Sequence, residues 1–305
     1  MQTDAQIVAE AAFTRLFVDD DEIVRAGADC AFFEISGGRA APLIVERIRT
    51  ALADGSPLSL VRVGNGEGNA IAMVEDAGSP AIFDGFDFEF VSQNGCSIAP
   101  ENALSFSRLV VDAIMSADIQ GYRIGRFDER TVALDCLARG ETSPALGITY
   151  ARWLFAGQVH GRASRMGWFT GAWIHFDLMT RFAEMVENAR QVAVISGRAE
   201  LAARFAEKLG SRLAWFAPVP VQGYVPQSLG TSHYAMFEDV RDRIRQSDLR
   251  GTLVLVGAGL FGKVYCQDAR NAGAVAIDMG SAFDLLAGVS TRPVHRHLDI
   301  SSVRW

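Results

Sequence analysis

Two glycine-rich stretches hold the residue types that do phosphate and cation chemistry. The later one is Gly257-Ala-Gly259-Leu-Phe-Gly262-Lys263, set between the apolar run Leu253 to Val256 and a helix-like segment, Val264 to Asn271. Such a turn can aim backbone N–H groups at a helix N-terminus toward an anion, usually phosphate. A second apolar run, Ala274 to Ile277, closes on Asp278, so the segment reads as a βαβ unit. Gly257, Gly259 and Gly262 with Asp278 at the next strand end fit a dinucleotide fingerprint, yet only a short tail follows where a dinucleotide domain needs further βα units. The same glycines and Lys263 overlap a Walker A loop, but Val264 stands where the magnesium-holding Ser or Thr belongs. A tight turn that packs helix on sheet and binds nothing is the third reading.

The earlier stretch follows a strand, Leu58 to Val63. Arg62 lies at its end, Gly64-Asn65-Gly66-Glu67-Gly68 makes a turn, and Asn69 to Val74 opens a helix. A parallel strand delivers functional groups to a crevice at this point. The Asn65 oxygen and the Glu67 carboxylate can share one hard cation, magnesium or manganese. Equally, Asn65 can take a left-handed turn conformation with Glu67 facing the helix N-terminus. Weaker candidates are the turn Ser196-Gly197-Arg198, for a phosphate, and His233 and Tyr234 at a helix start capped by Ser232. Tyr150, Arg152, Trp153, His160, Arg162, Arg165 and Trp168 could line a site that stacks a base or grips a diphosphate, or form a surface connection. His175 reads as a core histidine, Asp19 to Glu22 as a solvated helix start, and His295-x-His297 lacks a third metal ligand nearby.

The elements that position these residues follow from composition and period. The chain has 305 residues and a net charge of −7, which argues against a general nucleic-acid binder. Its only lysines are Lys208 and Lys263. Its four cysteines are scattered without metal-ligand spacing, as in a reduced, cytoplasmic protein. No signal peptide and no transmembrane run is expected. Residues 1–55 read as mainly helical and 78–100 as loops and short strands, with Phe86, Phe88 and Phe90 on one strand face. Helices are expected near 103–117, 128–137, 173–185 and 234–246, a loop at 140–144, and a further βαβ unit from Gln191. Alternating β and α units imply an α/β fold, a mostly parallel sheet with helices on both faces. The expected layout is a helical N-terminal extension (1–55), an α/β domain (56–290) and a tail (291–305). Such a sheet suits a monomer or a homodimer.

Taken together, the two stretches resemble the GT-D glycosyltransferase family, which is Rossmann-like. Family members carry Arg-Φ-Gly-Asp-Gly-Glu near the domain start, here Arg62-Val63-Gly64-Asn65-Gly66-Glu67. They also carry a late Ala-Ile-Asp-Ile-Gly, here Ala276-Ile277-Asp278-Met279-Gly280. A related branch carries a Gly-Ala-Gly-Leu-x-Gly-Lys turn, matched by Gly257 to Lys263. The resemblance spans roughly residues 57–288. It implies sugar transfer from a nucleotide-sugar donor, UDP-linked, to a glycan or glycoconjugate in polysaccharide synthesis, with a divalent cation (Mn or Mg) bridging the diphosphate. The metal-linked Asp-x-Glu pair maps to Asn65 and Glu67, and the neutral asparagine is a departure that weakens a metal site. Arg62, Gly64, Gly66, Gly257, Gly259, Gly262 and Lys263 would then hold the donor. Glu67, Asp278 and His233 are the candidates for catalytic roles, the last two as acceptor base.

Overall fold

The computed structural model describes residues 2–161, 167–221, 230–291 and 295. Arg162, Arg165, Arg296, His297 and Arg304 therefore lie outside the described residues, as does most of the 291–305 tail. Strands β1 Phe32–Glu34, β2 Leu58–Val63, β3 Ile119–Tyr122, β4 Trp168–Gly171, β5 Gln191–Ser196, β6 Leu213–Pro218, β7 Thr252–Gly257 and β8 Val275–Asp278 form an eight-stranded sheet. Its order is β1-β4-β3-β2-β8-β7-β5-β6, and every pairing described is parallel. The α/β class and the parallel sheet read from the sequence are thus present. β3 and β8 are buried at every position and β2, β5 and β7 at all but one, as a sheet covered by helices requires.

The chain divides into two compact units, one made of Met1–Gly37, Arg62–Ser92 and Cys96–Trp173, the other of Gly38–Val61, Gln93–Gly95 and Ile174–Trp305. The first holds α1 Asp4–Leu16, α2 Asp20–Gly27, α4 Asn65–Glu75, most of α5 Pro80–Asn94, α6 Pro100–Met115, α7 Glu129–Ala138 and α8 Thr142–His160. The second holds α3 Gly37–Asp54 from Gly38 onward, α9 Ile174–Thr180, α10 Phe182–Glu187, α11 Leu201–Leu209, α12 His233–Arg245, α13 Phe261–Asn271 and α14 Ala282–Leu286. Among the described residues no helix is long and apolar enough to cross a membrane.

Several sequence expectations need correction. Residues 80–94 form a helix, not loops and strands. Ile82, Phe86 and Phe90 recur every four residues and are buried, while Phe88 is 64% exposed, so the period is helical and the Phe-x-Phe alternation is incidental. The described residues of the 145–170 segment are no surface connection. α8 occupies it up to His160, with Tyr150 and Arg152 buried, and β4 begins at Trp168. The expected loop at 140–144 already contains the start of α8. The 173–185 helix is two, α9 and α10, which break at Arg181. β1 and β4, three and four residues long, carry too little pattern to register, and their partners are distant in the chain.

Candidate functional site

β2 runs almost directly into α4. Asn65-Gly66-Glu67 is already the first helical turn, and no described non-glycine residue has a positive φ, so the left-handed Asn65 does not occur. Glu67 is 6% exposed, and its Oε2 accepts the Gly64 N–H at 2.7 Å, an acid at the third helical position capping its own helix. Gly68 is dictated by packing. A Cβ there would sit 1.7 Å from the Gly147 carbonyl oxygen, and one on Gly147 would sit 2.3 Å from the Asn65 oxygen, so α4 and α8 touch backbone to backbone. Asn69 fastens the same crossing, its Nδ2 donating to Asn65 O (3.1 Å) and Ser143 O (3.0 Å). The start of α4 is therefore rigidly placed. Arg62, half-buried, donates from Nη1 to Ala172 O at 3.3 Å, just past the end of β4. Gly121 in β3 lets the end of β4 come close, since a Cβ there would lie 3.2 Å from Gly171 O and 3.3 Å from Ala172 Cα.

The next strand end supplies a residue that sequence reasoning missed. Arg123 directly follows β3, and its Nη1 donates to Asn65 Oδ1 at 2.5 Å. Its other side grips Glu129 at the start of α7: Nε donates to Oε1 at 3.0 Å, and Nη2 makes an ion-pair contact with Oε2 at 3.0 Å, an oxygen that accepts no hydrogen bond. Burial raises the Glu129 carboxyl above its usual range, with the Arg123 guanidinium pulling the other way. The Arg123 and Arg126 guanidinium carbons each lie 5.8 Å from the Trp173 ring centroid, within cation–π range. Arg62, Arg123 and Trp173 thus sit at or just beyond the C-terminal ends of β2, β3 and β4, where open parallel sheets bind ligands. The available signal was positional, because Arg123 leaves β3 much as Arg62 leaves β2. Arg152, 2% exposed, holds the chain before α2. Its Nε donates to Val18 O (2.6 Å), its Nη2 pairs with Asp20 (2.6 Å), and its guanidinium carbon lies 4.9 Å from the Phe17 ring centroid. Asp20, in the acidic run read as solvated, is therefore a structural partner.

In the second unit, the Gly257 to Lys263 stretch has the expected strand–turn–helix form, and each glycine has a steric reason. A Cβ on Gly257 would lie 2.5 Å from the Phe283 ring, and one on Gly262 3.2 Å from Val256 Cγ1. Gly259 has φ +54°, the left-handed turn region. Several turn amides are already engaged, Leu260 N by Gln93 Oε1 at 2.8 Å and Gly262 N by Ala258 O and Gly259 O, both at 3.2 Å. Lys263 Nζ pairs with Asp278 Oδ2 at 2.9 Å and donates to Gly259 O at 3.1 Å, with side-chain exposures of 4% and 0% for Lys263 and Asp278. His233 is buried against Phe261, ring centroids 4.0 Å apart, with Nε2 at 3.1 Å from the Tyr265 hydroxyl, and burial pushes its pKa down to about 3. Arg198 is committed to Asp284 at 2.7 Å. His295 accepts the Thr291 N–H at 3.2 Å, and His175 is fully buried, a core histidine as expected.

The cation that the resemblance implies does not fit these residues. The Asn65 oxygen already receives a guanidinium, and one Glu67 oxygen receives a backbone N–H. A dication roughly 4 Å from the Arg123 charge would be repelled by about 8 kcal/mol at an effective dielectric of ~20. Among the described residues no group of three or more His, Cys, Asp or Glu side chains is placed to hold a metal.

No curated protein matches the chain. Among solved structures, it is similar to one of domain of unknown function 1792, described as having a distinct glycosyltransferase fold, at 10% identity and TM-score 0.44 over 88% of this chain and 86% of that one. It is also similar to a new glycosyltransferase of that domain type from Streptococcus sanguinis, at 14% identity and TM-score 0.40 over 85% and 86% of the two chains. The GT-D fold-like domain matches residues 40–286, which take in both glycine stretches and the whole span from β2 to α14. The chain belongs to the GT-D fold-like domain family.

Proposed function

We propose that this protein is a glycosyltransferase that moves a sugar from a nucleotide-sugar donor, a UDP-sugar in the first instance, to a hydroxyl of a glycan or glycoconjugate. The observation that carries this reading is family membership over residues 40–286. The cluster of Arg62, Arg123, Arg126 and Trp173 supports it. Departure of a nucleoside diphosphate builds negative charge on the leaving oxygens, and preorganised guanidinium groups stabilise such charge. Glu67 serves this site by fixing the first turn of α4 through the Gly64 N–H. Gly64, where a Cβ would lie 3.2 Å from Glu67 Oε2, and the buried Gly66 belong to that turn, and the Gly257, Gly259 and Gly262 turn with Lys263 and Asp278 builds the βαβ framework of the second unit.

Isothermal titration with UDP, and UDP release from a panel of UDP-sugars, test the reading. Binding that falls in Arg62→Ala and turnover with at least one donor and a glycan acceptor are expected. Neither binding nor turnover with any donor would sink it. A second reading, a nucleotide-sugar binding module without transfer, is favoured by the burial of both candidate bases, Asp278 at 0% and His233 at 2% exposure. It predicts binding with no UDP release after long incubation.

A further inference from the structure

The disagreement between the implied cation and the Asn65 site leads to a specific alternative, which rests on the donor reading above. We propose that Arg123 supplies, beside Asn65 and Glu67, the positive charge that a divalent cation would supply, so that guanidinium groups hold the donor diphosphate and binding needs no metal. Asn65 is the natural partner for such a group. Its neutral oxygen accepts an N–H from Arg123 at 2.5 Å without cancelling the charge, whereas an aspartate there would form a second ion pair with the same guanidinium. Glu129, on the far side, holds the guanidinium through one hydrogen bond from Nε and an ion-pair contact at Nη2, each at 3.0 Å. Arg123 has five N–H groups, and its hydrogen bonds to Glu129 Oε1 and Asn65 Oδ1 use one on Nε and one on Nη1, which leaves N–H groups on Nη1 and Nη2 for phosphate oxygens. The side chain keeps 18% of its surface exposed, so it is held in place yet reachable. Trp173, within 5.8 Å of both Arg123 and Arg126, restricts the two guanidinium groups further. Arg62 adds a cation at the neighbouring strand end, its position fixed through Ala172 O. Planar guanidinium forks match diphosphate oxygens in pairs, which a point charge such as lysine does not.

The test titrates UDP, GDP and dTDP into the full chain after EDTA treatment, with and without excess manganese, and follows free manganese by electron paramagnetic resonance. The expected result is binding of at least one nucleotide with a Kd that agrees within about twofold between the arms, and no tightly held manganese. Arg123→Gln paired with Glu129→Gln avoids a buried unpaired carboxylate. With folding confirmed by a melting curve, it should weaken that binding about tenfold or more. Asn65→Asp added to that Arg123→Gln/Glu129→Gln protein should bind in a manganese-dependent way. Wild-type binding that requires manganese would overturn this inference while leaving the donor reading intact. So would a folded Arg123→Gln/Glu129→Gln protein that binds as tightly as the wild type. Binding of none of the three nucleotides in either arm would overturn both.

Discussion

Lys263→Met separates a structural lysine from a ligand-facing one. The substitution keeps most of the aliphatic stem and removes the charge. In the folded chain Nζ lies 2.9 Å from Asp278 Oδ2, with the two side chains 4% and 0% exposed. At that distance and an effective dielectric of ~20 the attraction is about 6 kcal/mol. Removing the lysine also relieves its own desolvation, so the net loss falls to about 3–5 kcal/mol, the usual cost of stranding one member of a buried pair. The Gly259 carbonyl loses its bond at 3.1 Å as well. At 305 residues, with an unfolding entropy of about 2.1 cal/mol/K per residue, that loss lowers the melting temperature by roughly 5–8 °C. Adding Asp278→Asn should restore part of the loss, because it removes the buried negative charge and keeps the polar shape. Differential scanning calorimetry and urea titration of wild type, single and double variants make the measurement, with UDP titration alongside. A single variant within about 1 kcal/mol of wild type that has lost UDP binding would refute the reasoning and return Lys263 to the phosphate.

Three further changes probe other parts of the fold. Gly147→Ala places a Cβ 2.3 Å from the Asn65 oxygen, so it should cost about 3 kcal/mol despite alanine's better helix propensity, and should weaken UDP binding by shifting the first turn of α4; urea titration and calorimetry read both. His233 has a folded pKa pushed down to about 3 against about 6.5 unfolded, so its contribution is complete above pH 6.5 and is lost as pH falls toward 3. Between pH 6.5 and 4.5 wild type should therefore lose about 2–3 kcal/mol that His233→Gln does not lose, measured by urea titration at each pH. Arg152→Ala should cost about 2–4 kcal/mol, since Asp20 is partly exposed and can be rehydrated, and hydrogen exchange should quicken in α1 and α2.

What the sequence disclosed depended on how local the cause was. The βαβ units at 191–218 and 252–278 show their periods within a few residues of each glycine turn, and they stand where expected. α5 was misread because Phe86, Phe88 and Phe90 alternate along the chain, while the burial that decides the matter comes from Phe106 in α6, whose ring lies 5.5 Å from that of Phe90. The glycine motif at 257–262 admitted three readings because glycine records a steric need without naming its neighbour. The neighbours are Phe283 and Val256, and no local pattern points to the first of them. The same reasoning bears on Asn65. By sequence, asparagine in place of the family's aspartate is only a weaker metal ligand. With Arg123 at 2.5 Å, the proposed guanidinium site gives the asparagine a reason, because a carboxylate at 65 would compete with Glu129 for the same guanidinium and reduce the charge available to a diphosphate. In the proposal above Asn65 and Arg123 act together, and the two lie 58 residues apart in the chain, beyond the reach of any local pattern.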